Sequence, residues 1–338
     1  MRLAGLVALA ALLLGSAGWG VLALVYFNHA SAALRVPLAV AFALIAVVAL
    51  AALAFPTWHG YALAGYAVVF ALLLWRWSAI EPSNDRDWQP QGARLAWADI
   101  AGDQVTLHDI RNFDYRTETE FTPAYYDRSF DLRQLDSVDL LAVYWMGPAI
   151  AHVFLSFGFQ GKDYVAISIE ARKERGEGYS SIEGFFRQYE LHYVVADERD
   201  VIRVRTNYRR DPPEDVYLYR LRGTREDARR LFLEYLAEVN RLKDRPEFYN
   251  TLITNCTTNI WLHSRVVPGR PSLSWRVLIS GYVPELLRDS GRLESELPFA
   301  ELRRRSRIND LAMAADKADD FSQRIRAHLP QNAIPKPT

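Results

Sequence analysis

The chain has 338 residues, 40 basic against 40 acidic, and one cysteine, but its overall neutrality hides an uneven distribution. Residues 1–80 hold Arg2, Arg35 and Arg76 and no acidic residue, whereas the other 258 carry 37 basic and 40 acidic side chains. That split excludes a single soluble domain. One cysteine excludes an internal disulfide or a Cys-rich zinc site, and the lack of a basic excess points away from nucleic acid.

Three apolar runs open the chain: Leu3 to Phe27, Val36 to Phe55, and Pro56 to Trp75. Each can cross a hydrocarbon core of about 30 Å as a helix. The first is too long for a cleaved signal peptide and is followed at once by two more. Pro56 to Gly60 reads as a tight helical hairpin, and Trp58, Tyr61, Trp75 and Trp77 mark the run ends, where aromatic rings favour the interface. An odd number of spans puts the chain ends on opposite sides, and charge alone does not fix the orientation.

Glu81 to Gln91 reads as a polar linker. Strand patterns follow at Gln104–Ile110, His152–Phe159, Tyr164–Ala171, Glu190–Val195 and Val216–Leu221, with Gln160 to Asp163 as a hairpin turn. A helix is expected over Arg225–Lys243, started by Thr224 with Asp227 and ended by Pro246. A second should run from Cys256 to Val266 behind the N-cap Asn255, and a last amphipathic one from Asn309 to His328. The class is α+β, with a mostly antiparallel sheet against helices.

Cys256 is the most informative position. In the first turn of a helix capped by Asn255, free amides stabilise a thiolate and an oxyanion, so a thiol pKa below the ordinary value is expected. The competing reading is a small buried apolar residue. A nucleophile needs a base, and the globular part offers five histidines. His263, seven residues on, lies about 10 Å along the helix axis and cannot reach the sulfur. His108 and His192 sit in strand patterns, and His328 is near the end of the last helix. His152 opens a strand, and the hairpin register puts it opposite 168 to 170, where Ser168 or Glu170 can orient the ring. A surface pair of Glu170 with Arg172 is the plainer alternative.

The runs Ile110 to Arg116, Ala151 to Phe157, Ser168 to Glu174 and Phe248 to Thr258 together resemble the N-terminal periplasmic domain of bacterial lipoprotein N-acyltransferases. The resemblance covers residues 95–265. More distantly the chain is similar to the permuted papain-like group that includes the NlpC/P60 proteins and lecithin:retinol acyltransferases, where a strand histidine precedes an Asn-Cys helix start. The resemblance implies Cys256 as nucleophile, His152 as base and Glu170 as third member, a position where the group varies. It implies an extracytoplasmic domain, hence an N-terminus inside. One departure is plain: in the characterised acyltransferases the spans follow this domain, whereas here three precede it.

The organisation expected is a membrane domain over 1–80, a linker over 81–94, a papain-like periplasmic domain over 95–300, and a C-terminal amphipathic helix and tail over 301–338. The function expected is a thiol acyltransferase or acyl hydrolase of the bacterial inner membrane. It would act on phospholipid or lipoprotein through a thioester, with no metal or organic cofactor. Asn255, Thr257, Ser168 and Arg172 complete the site as oxyanion or substrate groups. The rivals are a cell-wall peptidase or amidase with the same Cys-His pair, and a non-catalytic envelope binding module. The basic run Arg303 to Arg307 faces a membrane in one reading, and pairs with Glu294, Glu296 and Glu301 in the other.

Overall fold

The computed structural model describes residues 3–26 and 31–329, and the chain divides into two compact units. The first comprises residues up to Ser83 together with Tyr179–Glu190. It contains three helices, α1 (Leu3–Val25), α2 (Ala32–Ala52) and α3 (His59–Ser78), each long and apolar enough to cross a membrane. With no competing hydrophobic drive in lipid, such helices associate through small residues and close packing. Gly20 does this here, since a Cβ there would run into the Phe42 ring. Around it Leu13, Phe42, Ala46, Ala49 and Tyr66 form a core, and Ser16 Oγ meets Tyr66 Oη at 2.8 Å. The Tyr179–Glu190 excursion belongs to this unit because Arg187 caps the end of α3. It donates to the carbonyls of Trp77, Ser78 and Ile80 at 3.1 Å and lies 4.0 Å over the Trp77 ring.

The second unit is a mixed α/β domain on one eight-stranded, mainly antiparallel sheet. Its strands are β1 (Trp97–Ala101), β2 (Gln104–Arg111), β5 (Tyr125–Asp131), β6 (Leu135–Tyr144), β7 (Ala151–Phe159), β8 (Asp163–Arg172), β9 (Glu190–Ala196) and β10 (Asp215–Arg220); β3 (Asp114–Tyr115) and β4 (Phe121–Thr122) form a separate ribbon. The order is β1-β2-β9-β8-β7-β6-β10, with β5 on β2 and a parallel contact where Arg111 meets Ala196. The turn between β7 and β8 has Gln160 and Gly161 both at positive φ, 53° and 63°, and Lys162 N–H donates to the Phe159 carbonyl at 3.1 Å. Such a turn matches strand twist and pins the register.

One face of the sheet carries α5 (Arg225–Asp244) and α6 (Cys256–His263), followed by the short α7 (Trp275–Leu278) and α8 (Val283–Asp289). Thr224 and Asp227 form the expected capping box of α5, and Phe232 and Tyr235 pack on Phe157 at ring distances of 4.8 and 5.8 Å. The other face buries Leu141, Val143, Phe154, Val216 and Leu218 against α4 (Glu198–Val201), α10 (Asn309–Ala314) and α11 (Phe321–Arg324), while α9 (Phe299–Ser306) lies beside β10.

Three readings change. The single helix expected over Asn309–His328 is broken, because Asp316 is taken up by Arg203, Asn207 and Tyr208 where the chain turns. Its apolar positions Ala312, Ala315, Phe321 and Ile325 still enter the core, and the tail beyond Leu329 lies outside the described residues. The polar stretch before β1 is bound to the domain from Asn84 on: Asn84 donates to the last carbonyls of α5 and buried Trp88 bridges to Glu174. Strand β6, next to the edge strand β10, escaped the pattern search because Asp136, Ser137 and Asp139 interrupt its alternation.

Candidate active site

α6 begins where the sequence expects. Asn255 adopts an extended conformation, its Oδ1 accepts from Thr258 N–H at 2.9 Å, and Thr258 Oγ1 accepts from Asn255 N–H at 3.0 Å. The cap leaves amides of the first turn without intrahelical acceptors, and Cys256 is the first helical residue. β7 and β8 are paired only from Leu155–Ile167 to Phe159–Asp163, although both strands run further. Beyond Leu155 the two strands split. The Cys256 sulfur lies at that split, where the backbone N–H groups of Val153, Thr257 and Cys256 itself favour the thiolate.

These amides do not win. Burial is the larger effect and pushes the Cys256 thiol above its ordinary value, which overturns the expected depression. The negative charge of Glu170 acts in the same direction.

His152 stands one residue before Val153. Its Nε2 lies 2.7 Å from Ser168 Oγ and 3.6 Å from Glu170 Oε1, and Ser168 Oγ donates to Glu170 Oε1 at 2.8 Å. The serine has a single hydroxyl hydrogen, so donating it to the carboxylate leaves its oxygen to accept Nε2–H. That chain of bonds assigns the tautomer: Nδ1 carries the lone pair, which is the form a general base requires. Burial, with Arg205 and Arg209 nearby, holds the His152 pKa down to about 3 despite Glu170, so the ring is neutral at ordinary pH. Arg205 and the His152 ring, against an opposing burial effect, hold the Glu170 carboxyl well below the usual range. The resting pair is thus thiol and imidazole, not thiolate and imidazolium.

Strand alternation puts His152 on the face of Phe154, toward α10 and α11, whereas α6 packs on the face of Leu155. Sulfur and ring therefore belong to opposite faces, and what links them is the Val153 amide, next to His152 in β7 and hydrogen-bonded to the sulfur. No hydrogen bond joins them among the described residues.

The remaining expected residues are placed as follows. Asn255 and Thr257 are used by the helix start: Asn255 Nδ2 donates to Thr251 O at 2.6 Å, and Thr257 Oγ1 donates to Val277 O at 2.7 Å. Ser168 and Glu170 join His152. Arg172 does not: it is buried over the Trp88 ring at 4.0 Å and donates to Gly92 O and Asn84 Oδ1. Sequence reasoning missed Arg205, which reaches Glu170 and Glu214 at 3.3 Å each, and Val153, whose part is played by its amide. No side-chain pattern reports either.

The other histidines have other partners. His263 Nε2 meets Tyr193 Oη at 2.6 Å, His108 lies between Asp127 and Asp99, and His328 Nε2 faces Leu218 O at 3.4 Å. His192 is buried near Arg172, with its pKa lowered to about 3 chiefly by burial. Among the described residues no group of three or more His, Cys, Asp or Glu side chains is placed to hold a metal ion. The basic run is compensated: Arg303 stacks on Tyr144 and Tyr217, Arg304 and Arg305 pair with Glu301, and Arg307 pairs with Asp215 and Asp310.

The family model described as the Lnb N-terminal periplasmic domain matches residues 121–281, the stretch that holds His152, Ser168, Glu170 and Cys256, and it is the family the motifs resemble. No curated protein and no solved structure gives a significant match. Together with the three apolar helices, the match fits a membrane-associated envelope protein with a periplasmic domain.

Proposed function

We propose that the protein is a cysteine-dependent acyltransferase or acyl hydrolase, anchored in the inner membrane by three spans, with its papain-like domain in the periplasm and phospholipid or lipoprotein as substrate. The observation that carries this reading is the site at the β7–β8 split. There a cysteine at a capped helix start meets three amides beside a histidine whose tautomer is set by Ser168 and Glu170. Because the resting pair is neutral, proton transfer accompanies attack. The Cys256 sulfur bonds to the ester carbonyl carbon as its proton passes to His152 Nδ1, and backbone N–H groups at the split hold the oxyanion. Collapse breaks the ester C–O bond, and His152 returns the proton to the leaving alkoxide. An amine, alcohol or water then attacks the thioester, giving its proton to His152, and the sulfur leaves and is reprotonated. None of these steps requires a metal.

The test is the intact mass of the full-length protein in phospholipid vesicles. The reading expects an added mass of one acyl chain that is absent in Cys256→Ser. A peptidase would give no acyl adduct and would cleave a cell-wall peptide instead. The raised thiol pKa favours a second reading, a non-catalytic envelope module. That reading expects neither adduct nor cleavage, and a sulfur that thiol reagents do not reach in the folded protein.

A further inference from the structure

Three segments of the second unit meet at the start of α6, and each turns apolar side chains outward. The loop before β7 exposes Met146 and Ile150, the loop before α6 exposes Leu252 and Ile253, and α7 exposes Trp275 and Leu278. Met146 and Ile253 are 71 and 64 % exposed. The segments are bound to one another. Ser280 Oγ accepts from Ala151 N–H at 2.9 Å, Gly281 N–H donates to Ala149 O at 3.0 Å, and Asn255 and Thr257 donate to Thr251 O and Val277 O. Residues 145–150, 250–254 and 271–283 include one charged side chain, Arg276, which pairs with Asp289 at 2.6 Å. Apolar residues exposed singly are ordinary, but a continuous uncharged rim marks a surface that is covered in use.

The path of the chain indicates what covers it. The chain passes between the unit of apolar helices and this domain three times, at 83–84, 178–179 and 190–191. From the end of α3 at Ser78 to Asn84 it can reach about 20 Å at most, so spans in a bilayer hold the domain at its surface. Two of the crossings are fixed beside the segment that leads into the rim. Asn84 Nδ2 donates to the carbonyls of Leu242 and Lys243, and Leu191 N–H donates to Glu247 O at 2.7 Å, five residues before Leu252. The rim therefore lies near the points where the chain leaves for the membrane. Its composition suits that place: a tryptophan ring favours the lipid–water interface, and aliphatic side chains favour the hydrocarbon beneath.

We propose that this rim is a membrane-docking surface, which sinks Met146, Ile150, Leu252, Ile253, Trp275 and Leu278 into the lipid leaflet beside the spans, so that a lipid ester reaches Cys256 without crossing water. Only that last step rests on the function proposed above; the docking needs the three spans alone. The experiment uses the full-length chain in phosphatidylcholine vesicles, with Cys256→Ser removing the native thiol. A nitroxide is attached in turn at Ile253→Cys, at Leu278→Cys and, on the opposite face of the sheet between α10 and α11, at Asp319→Cys. Oxygen concentrates in the bilayer, whereas a nickel chelate stays in water. The ratio of oxygen to chelate collisions should be several-fold higher at 253 and at 278 than at 319. High salt should leave that contrast intact, because the insertion is apolar. Ratios at 253 and 278 equal to that at 319 would overturn the proposal, since the rim would then face water. Shielding of both positions from both reagents would also overturn it, since protein, such as a second copy of the chain, would then cover the rim. The measurement does not depend on catalysis, so a docked rim in a protein that forms no acyl adduct would count against the proposed function alone.

Discussion

Two buried ionic clusters are built on the same sheet, and they differ in how completely they are satisfied. In one, Arg326 donates to Asp139 at 2.7 Å and to both oxygens of Glu198 at 2.8 and 2.6 Å, and lies 3.7 Å over the Tyr164 ring. Arg220 pairs with the same Asp139, and Ser156 donates to Glu198. In the other, Arg205 stretches at 3.3 Å to both Glu170 and Glu214, its Nε has no partner, and His152 uses only Nε2. The second cluster is also less deeply buried, with His152 and Glu170 side chains 14 and 28 % exposed. A filled network holds the C-terminal segment to the sheet, whereas an incomplete one keeps a charge and a lone pair available beside the split strands.

The sharpest way to break the comparison is to remove one member from each cluster. His152→Ala should lower turnover by about 10³-fold, within the range for loss of a general base, while leaving the melting temperature nearly unchanged. His192→Gln and His263→Gln should keep most activity, and equal loss from all three would mean that the base is misassigned. Arg326→Met should do the reverse. It strands Glu198 and half of Asp139 in the interior, so denaturant unfolding should show a loss of about 3–5 kcal/mol. A loss under 1 kcal/mol would show that the filled cluster is not what secures this region.

Acid separates the two regions further. His152 and His192 are both held to about 3 in the fold, below the ordinary histidine value near 6.5. The unfolded chain therefore binds more protons below pH 6.5, and stability falls as pH drops from there toward 3. Each histidine contributes about 1.4 kcal/mol per pH unit once the unfolded ring is protonated. His192→Gln should reduce that slope by about 1 kcal/mol per pH unit between pH 6 and 5, and an unchanged slope would place the titration elsewhere. The thiol gives a smaller, kinetic signal: alkylation of Cys256 should still be accelerating at pH 9, and a plateau below pH 8 would mean that the resting pair is ionic after all. The smallest effect is the cap. Asn255→Ala should destabilise by about 1 kcal/mol in thermal or denaturant melts.

Composition and spacing were enough for the three apolar helices, five of the strands, α5 with its capping box and the start of α6, because each rests on local periodicity or on side chains bonding within a turn. The start of α6 at Cys256 and the strand at His152 were legible for the same reason, whereas their pairing as nucleophile and base came from the family resemblance and not from local pattern. What had to await the tertiary structure depends on pairs distant in sequence. Nothing near Asp139, Glu198 or Arg326 indicates that they meet, and β6 stayed hidden because its acidic residue is neutralised from 187 positions away. The ionisation of the site also lay beyond the sequence. A helix start lowers a thiol pKa, but only the depth of burial at the β7–β8 split decides that desolvation outweighs three amides.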